Sequence, residues 1–217
     1  ENKEDKIKDE IVKVKWSHYS PDVFACLTTK QIIVCTLSKD PNTKVATVNQ
    51  TRFTAALDDK SSFFAFTWGN SCNIWLKYSI FYSTEIAGSL YLVRPAIPDN
   101  YQLPFRDYVK MTSTLDAKSS EKFSELIETK GSSRFLKVSN ASRHVHTKIP
   151  FSNISSPFRA ISCVNSYLNC YLILIDDEST IRIAEIPEVN NFIDDFSNSK
   201  PLSFLTNINQ FTYFSDN

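Results

Sequence analysis

The residues of this sequence that could carry chemistry are mainly carboxylates in adjacent pairs. Such groups occur at Asp58-Asp59, at Asp176-Asp177-Glu178 and at Asp194-Asp195. Acid–base catalysis needs two carboxylates that converge on a cleft with their pKa values pushed apart. Adjacent acidic residues between apolar strands instead indicate hairpin turns that face water, and Asp tolerates turn geometry well. We therefore predict no catalytic residues and no enzymatic activity.

The cysteines and histidines do not form a metal-binding pattern. Cys26, Cys35 and Cys163 lie inside apolar, strand-like segments, where a thiol packs as a small hydrophobic side chain. His144 and His146 would share one face of a strand, but no C-x-x-C pair accompanies them. We interpret the two histidines as a solvated strand face and expect no bound metal. Unpaired cysteines and the absence of a signal peptide favour a reducing, intracellular setting.

Composition excludes several classes of partner. The 24 basic residues balance the 24 acidic ones, and this zero net charge argues against a protein that binds phosphate backbones. Only 3 of 217 residues are Gly, which leaves little backbone for cradling phosphate, and no P-loop or G-x-G-x-x-G motif occurs. No apolar run approaches the roughly 18 residues needed to cross a bilayer. We predict no cofactor, no direct nucleic-acid contact and no membrane insertion.

The elements that must position any site are short strands that recur in groups of three. Strand patterns separated by polar turns occupy residues 11–37, 63–93 and 158–186. With a fourth outer strand, each unit approaches the 40 to 50 residues of a propeller blade. This recurrence predicts an all-β protein, a β-propeller with WD-like blades that are four-stranded antiparallel meanders. The alternative is a β-sandwich, which has similar strand spacing.

The length limits how much of a propeller is present. Seven blades need about 280 to 350 residues, so 217 residues hold four or five at most. We expect residues 1–217 to be a single propeller domain or part of one, incomplete in this chain, and the absence of an initial Met suggests a piece of something longer. The residues on the apolar phase of the strands predict the core. They are Trp16, Phe24, Phe64, Phe66, Phe81, Leu92, Ile161, Leu172, Leu174 and Ile183.

One segment departs from the strand pattern. Residues 105–130 show helical spacing, with Tyr108, Met111 and Leu115 separated by three and four positions. We predict a helical insertion between blades, and insertions on a rigid scaffold often carry binding contacts. The residues predicted to bind a partner are Phe123, Leu126, Ile127, Arg134 and Phe135. The alternative is that the apolar stripe of the insertion covers the blade beneath it.

The centre of the chain resembles a known family. An aromatic strand ends at Trp68-Gly69, and a second strand and a turn with one glycine follow. The chain then continues through Gly88-Ser89-Leu90-Tyr91 to the exit Pro95-Ala96-Ile97-Pro98. This order, with a helical excursion after it, resembles the β-propeller domain of the cytoplasmic-face nucleoporins, the eighty-two type of yeasts and the eighty-eight type of animals. Ser89 stands where that family usually has an acidic residue.

The resemblance implies a function and a location. A member of this family would be a structural nucleoporin, a scaffold for messenger-RNA export on the cytoplasmic side of the nuclear pore complex. Its propeller would bind a folded domain of a Phe-Gly-repeat nucleoporin and a tail segment of another nucleoporin. The alternative function is a WD-type scaffold subunit of another nuclear complex, such as a transcription-factor or ubiquitin-ligase adaptor assembly.

Overall fold

The computed structural model describes residues 9–39, 46–54, 62–71, 73–128, 135–138, 145–151, 154–166, 169–186, 189 and 202–208. Three four-stranded antiparallel sheets dominate these residues. Sheet 1 contains β1 (Ile11–Trp16), β2 (Val23–Thr28), β3 (Gln31–Lys39) and β4 (Ala46–Thr54) in that order. The coarse prediction of an all-β fold built from such sheets is confirmed, and the arrangement is consistent with a propeller-like fold.

Sheet 2 is completed by a strand that comes late in the sequence. It contains β5 (Phe63–Trp68), β6 (Ile80–Thr84), β7 (Leu90–Arg94) and β11 (Val145–Lys148), with the four-residue helix α1 (Ile74–Lys77) between β5 and β6. Because β11 pairs with β7, the helical segment is inserted within sheet 2. The sequence had predicted it between two sheets, and that position was wrong. Asn73 caps α1, since its side chain accepts hydrogen bonds from the backbone N–H groups of Trp75 and Leu76.

The segment inserted into sheet 2 has its own small sheet and two helices. It contains β8 (Gln102–Pro104), α2 (Phe105–Thr112), α3 (Ala117–Ser124), β9 (Ile127–Glu128) and β10 (Phe135–Val138). The strand order is β8-β10-β9. Asp116 caps the N-terminus of α3, where its carboxylate accepts a hydrogen bond from the Ser119 N–H at 2.7 Å.

Sheet 3 contains β12 (Phe158–Ser166), β13 (Asn169–Asp176), β14 (Ile181–Glu185) and β15 (Phe204–Ile208) in sequence order. Sheet 2 lies between the other two sheets because its strands are apolar on both faces. Tyr82 and Val93 belong to a buried cluster shared with sheet 1, whereas Phe81 and Leu92 belong to a second cluster shared with sheet 3.

The predicted core is largely correct, with one error. Six of the ten predicted residues are fully buried; they are Phe66, Phe81, Leu92, Ile161, Leu172 and Leu174. Phe24, Phe64 and Ile183 are half-buried. The prediction for Trp16 is wrong, since this side chain is 57% exposed. The strand alternates as predicted, but its lysines face inward and its apolar side chains face outward.

Candidate protein-binding surface

Asp107 fixes the insertion to the body of the protein. Its Oδ2 accepts hydrogen bonds from Lys77 Nζ at 2.6 Å and from the Tyr78 hydroxyl at 2.7 Å. Burial alone would raise the pKa of this carboxyl, but the donors Lys77 and Tyr78 outweigh burial, and its pKa lies below the usual value. Asp107 is therefore ionised at neutral pH and holds α2 against the end of α1.

Aromatic packing supports the same connection. The Trp75 indole N–H donates to Thr114 Oγ1 at 2.9 Å. The Phe123 ring centroid lies 5.3 Å from that of Trp75 and 5.9 Å from that of Tyr108. The two helices are thus packed on the rings of Trp75, Phe123 and Tyr108. The solvent-facing side of the helices is therefore held in a fixed position.

Three of the residues predicted to bind a partner lie in this layer or beside it. Phe123 is fully buried, Leu126 is 2% exposed and Ile127 is 7% exposed, and all three belong to the cluster between sheets 2 and 3. These side chains pack on their own domain, as the alternative interpretation of the stripe expects. The backbone of Phe135 pairs with Pro104 in the small sheet. Arg134 and the Phe135 side chain lie outside the described structure, and their partner contacts stay a prediction.

Among the described residues of the insertion, the exposed large apolar side chains are on α2. Phe105 is 51% exposed and Val109 is 45% exposed, and their spacing of four residues places them on one side of the helix. Arg106 and Lys110, beside them, are exposed as well. We call these four residues the α2 outer surface. The Phe105 ring lies 6.3 Å from the Tyr108 ring in a stacked arrangement, which restrains it.

The chemistry of the α2 outer surface is complementary to a protein segment that is both apolar and acidic. Phe and Arg are enriched in protein interfaces, and an apolar pair next to two cations complements an acidic amphipathic helix. Phe105 and Val109 were not predicted as binding residues, because Tyr108, Met111 and Leu115 already explained the helical spacing. The available signal was a second apolar pair, four residues apart, outside that stripe.

The acidic cluster Asp176-Asp177-Glu178 was predicted to be a solvated turn, and this is wrong for Asp176. Asp176 is buried, and its Oδ1 accepts from the backbone N–H groups of Glu178 at 3.0 Å and Thr180 at 2.9 Å. Arg182 donates to Oδ2 through Nε at 3.1 Å and Nη2 at 3.0 Å. Asp176 therefore organises the hairpin. Asp177 and Glu178 are exposed as predicted, and the pairs Asp58-Asp59 and Asp194-Asp195 lie outside the described residues.

The structure contradicts the predictions for His146 and for Cys170 and confirms those for Cys26 and Cys35. His146 is half-buried, and its Nδ1 lies 2.8 Å from the Tyr82 hydroxyl, so it is not a solvated side chain; His144 is not among the described residues. Cys26 and Cys35 are buried free thiols as predicted, and burial raises the pKa of Cys35 to about 12. Cys170 is disulfide-bonded, so the expectation of unpaired cysteines throughout was wrong.

Metal-binding clusters and membrane-spanning helices are both absent from the described ranges. No three His, Cys, Asp or Glu side chains there could hold a metal ion together. No helix there has the length and apolar character needed to cross a membrane.

Comparison with known proteins shows a similarity in structure and none in sequence. No protein-family model matches the sequence, and no curated protein matches it either. The fold is similar to that of a chain in the crystal structure of the Chaetomium thermophilum heterotrimeric Nup82 NTD-Nup159 TAIL-Nup145N APD complex, with a TM-score of 0.53 and 10% sequence identity. The match covers 95% of this chain, which spans only 65% of the length of the solved chain. The likeness shows the fold alone: this chain has a distant, nucleoporin-like, sheet-rich architecture.

Proposed function

We propose that this protein is a structural nucleoporin with a propeller fold, which serves as a scaffold for protein partners on the cytoplasmic side of the nuclear pore complex. The fold supports the proposal, because the similar solved chain comes from an assembly of nucleoporins. The order of the strands around Trp68-Gly69, the turn at Gly88 and the proline-rich exit carry the sequence resemblance to the same family.

The α2 outer surface is the observation that carries the proposed binding function. Its helix is held by the bonds of Asp107 to Lys77 and Tyr78, so binding costs little conformational entropy. Phe105 and Val109 offer apolar contact area, and Arg106 and Lys110 supply positive charge. The partner that fits is an acidic, amphipathic segment of another nucleoporin, such as a tail segment. A folded domain of a Phe-Gly-repeat nucleoporin would occupy another part of the scaffold.

Affinity capture from cells of the source organism tests this proposal. The wild-type chain, tagged and expressed at its normal level, should localise to the nuclear rim and retain other nucleoporins. The double variant Phe105→Glu/Val109→Glu should lose one acidic nucleoporin partner, because it replaces apolar contacts with negative charge that repels an acidic segment. Ile86→Glu is the matched control, since Ile86 is 47% exposed in the turn between β6 and β7 and away from α2.

Two results would contradict the proposal. Diffuse staining of the nucleoplasm, together with capture of transcription or ubiquitin-ligase subunits in place of nucleoporins, would support the alternative scaffold function. Equal loss of nucleoporins in the double variant and in the Ile86→Glu control would show that α2 is not the specific surface.

A further inference from the structure

β1 lies at one end of sheet 1, and only one of its two edges is paired with a strand in the described part of the chain. The Ser17 N–H donates to the Val23 carbonyl oxygen at 2.8 Å. Such bonds to an antiparallel neighbour recur at every second residue, so Lys15 also directs its backbone groups toward β2. The backbone N–H and C=O groups of Val14 and Trp16 therefore point away from β2. We call these two residues the free edge of β1.

The pairing of β2 with β3 leads to the same assignment. The Leu37 N–H donates to the Asp22 carbonyl oxygen at 2.7 Å. By the same alternation, Phe24 bonds toward β3 and Ala25 bonds toward β1. Ala25 is aligned with Lys15, so the bonds between β1 and β2 include Lys15 and leave out the residues on either side of it.

The side chains of β1 alternate between an apolar side and a cationic side. Val14 is 51% exposed and Trp16 is 57% exposed, and the Trp16 ring lies 5.1 Å from that of Phe24, its aligned residue on β2. Lys13 and Lys15 point to the other side, where both are half-buried. Apolar side chains that stay exposed along an unpaired edge mark a place where another strand can add to the sheet.

The two lysines determine which kind of strand suits this edge. No carboxylate of the described residues forms an ion pair with Lys13 or Lys15, and Lys15 Nζ donates to the neutral Thr67 Oγ1. An added strand with acidic residues on this side supplies the missing opposite charge. A second copy of β1 would instead bring further lysines to the same side, and lysines on an edge strand oppose such self-pairing. Charge therefore favours an acidic partner.

We propose that the free edge of β1 binds an extended segment of a partner protein, in which acidic and apolar residues alternate, as an added strand of sheet 1. The backbone groups of Val14 and Trp16 bond to the backbone of the segment, which gives affinity. The apolar residues of the segment cover Val14 and Trp16, and its acidic residues lie beside Lys13 and Lys15, which gives specificity. This site is separate from the α2 outer surface, and it does not depend on the proposed role at the nuclear pore.

Titration of the chain with a synthetic peptide tests this site. The probe is an end-blocked peptide in which Val and Glu alternate, and the control peptide has the same composition with all Val residues before all Glu residues. Isothermal titration calorimetry should show that the alternating peptide binds at least about tenfold more tightly. Because Trp16 is exposed whereas Trp68 and Trp75 are buried, the fluorescence of Trp16 should shift to shorter wavelength on binding.

Proline substitution separates strand addition from apolar contact alone. Val14→Pro removes the outward N–H and leaves the bonds between β1 and β2 in place, and proline is tolerated on the unpaired edge of a sheet. This variant should raise the dissociation constant of the alternating peptide by about tenfold or more. Val14→Thr keeps the N–H and the β-branched shape, and it should change the dissociation constant by less than about threefold. Melting temperatures check that both variants keep the fold.

Changes in the peptide and in Lys13 complete the test. N-methylation of every second peptide residue should abolish binding in one of its two phases only, because only one phase faces β1. This comparison uses the wild-type chain and requires no variant to fold. Lys13→Glu should weaken binding of the Val–Glu peptide and strengthen binding of a peptide in which Val and Lys alternate.

Several results would overturn the proposal. An alternating peptide that does not bind, or binds no more tightly than the block peptide, would do so. Equal effects of Val14→Pro and Val14→Thr, or of the two phases of N-methylation, would show that no strand is added. A Lys13→Glu variant that keeps its preference for the Val–Glu peptide would contradict the acidic partner. A Trp16 shift that appears as the protein concentration rises without peptide would identify a second copy as the occupant.

Discussion

Lys15 is a half-buried cation whose hydrogen bonds go to neutral groups. Its Nζ donates to Thr67 Oγ1 at 3.2 Å and reaches the Ile161 carbonyl oxygen at 3.5 Å, so one side chain connects all three sheets. Burial, with a smaller contribution from the charge of Lys13, lowers the pKa of Lys15 to about 8. The inward phase of β1 is therefore polar, although its apolar phase was expected to face the core.

The lowered pKa of Lys15 predicts a pH dependence of stability. Between about pH 8 and the ordinary lysine pKa of about 10.4, the unfolded chain binds a proton that the folded chain has released, so the free energy of unfolding rises with pH. Lys15→Met should reduce this rise. Thermal melts of both proteins from pH 7.5 to 9.5 at constant ionic strength measure the difference. Parallel curves for the two proteins would contradict the assignment.

The ion pair between Asp176 and Arg182 predicts that replacing Asp176 by Asn lowers the stability of the protein strongly. Asp176→Asn keeps the size of the side chain but removes the charge that Arg182 needs in a nearly buried site. Breaking such a pair from one side costs about 3 to 5 kcal/mol. Urea unfolding should show this loss, whereas Glu178→Gln, in the same turn but exposed, should change stability by less than about 0.5 kcal/mol. Equal effects of the two substitutions would mean that the bonds of Asp176 do not stabilise the hairpin.

At the scale of elements, the inserted helices have a core side and a solvent side. Leu126→Glu places a charge in the cluster between sheets 2 and 3, and it should cost more than about 3 kcal/mol. Phe105→Glu changes a half-exposed side chain of α2 and should cost about 1 kcal/mol or less. Differential scanning fluorimetry compares the two melting temperatures. A Leu126→Glu variant that melts like the wild type would contradict the packing of Leu126 in this cluster.

At the scale of the whole molecule, sheet 2 couples the other two sheets. Leu92 faces sheet 3 and Val93 faces sheet 1, and both are fully buried. Leu92→Ala should cost about 2 to 5 kcal/mol and should shift one shared unfolding transition. Tryptophan fluorescence reports on Trp16, Trp68 and Trp75 in the first part of the chain, and far-UV circular dichroism reports on all three sheets. Separate midpoints for the two signals would show that the sheets unfold independently.

Much of the fold could be predicted because it depends on local pattern. The nine strands recognised from the sequence correspond to β1–β3, β5–β7 and β12–β14, since alternating or continuous apolar runs between polar turns specify strands locally. Six strands were missed, and the three of them that belong to the four-stranded sheets, β4, β11 and β15, have weaker apolar patterns. β11 has the further difficulty that its partner β7 precedes it by about 50 residues, and no local signal indicates pairing over that distance.

The sequence by itself determined nine of the strands, the helical segment that contains α2 and α3, and the alternation along β1, but not the short helix α1. It could not decide which phase of β1 faces inward, because that depends on how sheets 1, 2 and 3 meet around Lys15. The same holds for the insertion, where packing on Trp75 buries Phe123 and leaves Phe105 in solvent. Periodicity shows that a strand or helix has two sides. Which side is covered is a property of its neighbours in space, and only the tertiary structure supplies those neighbours.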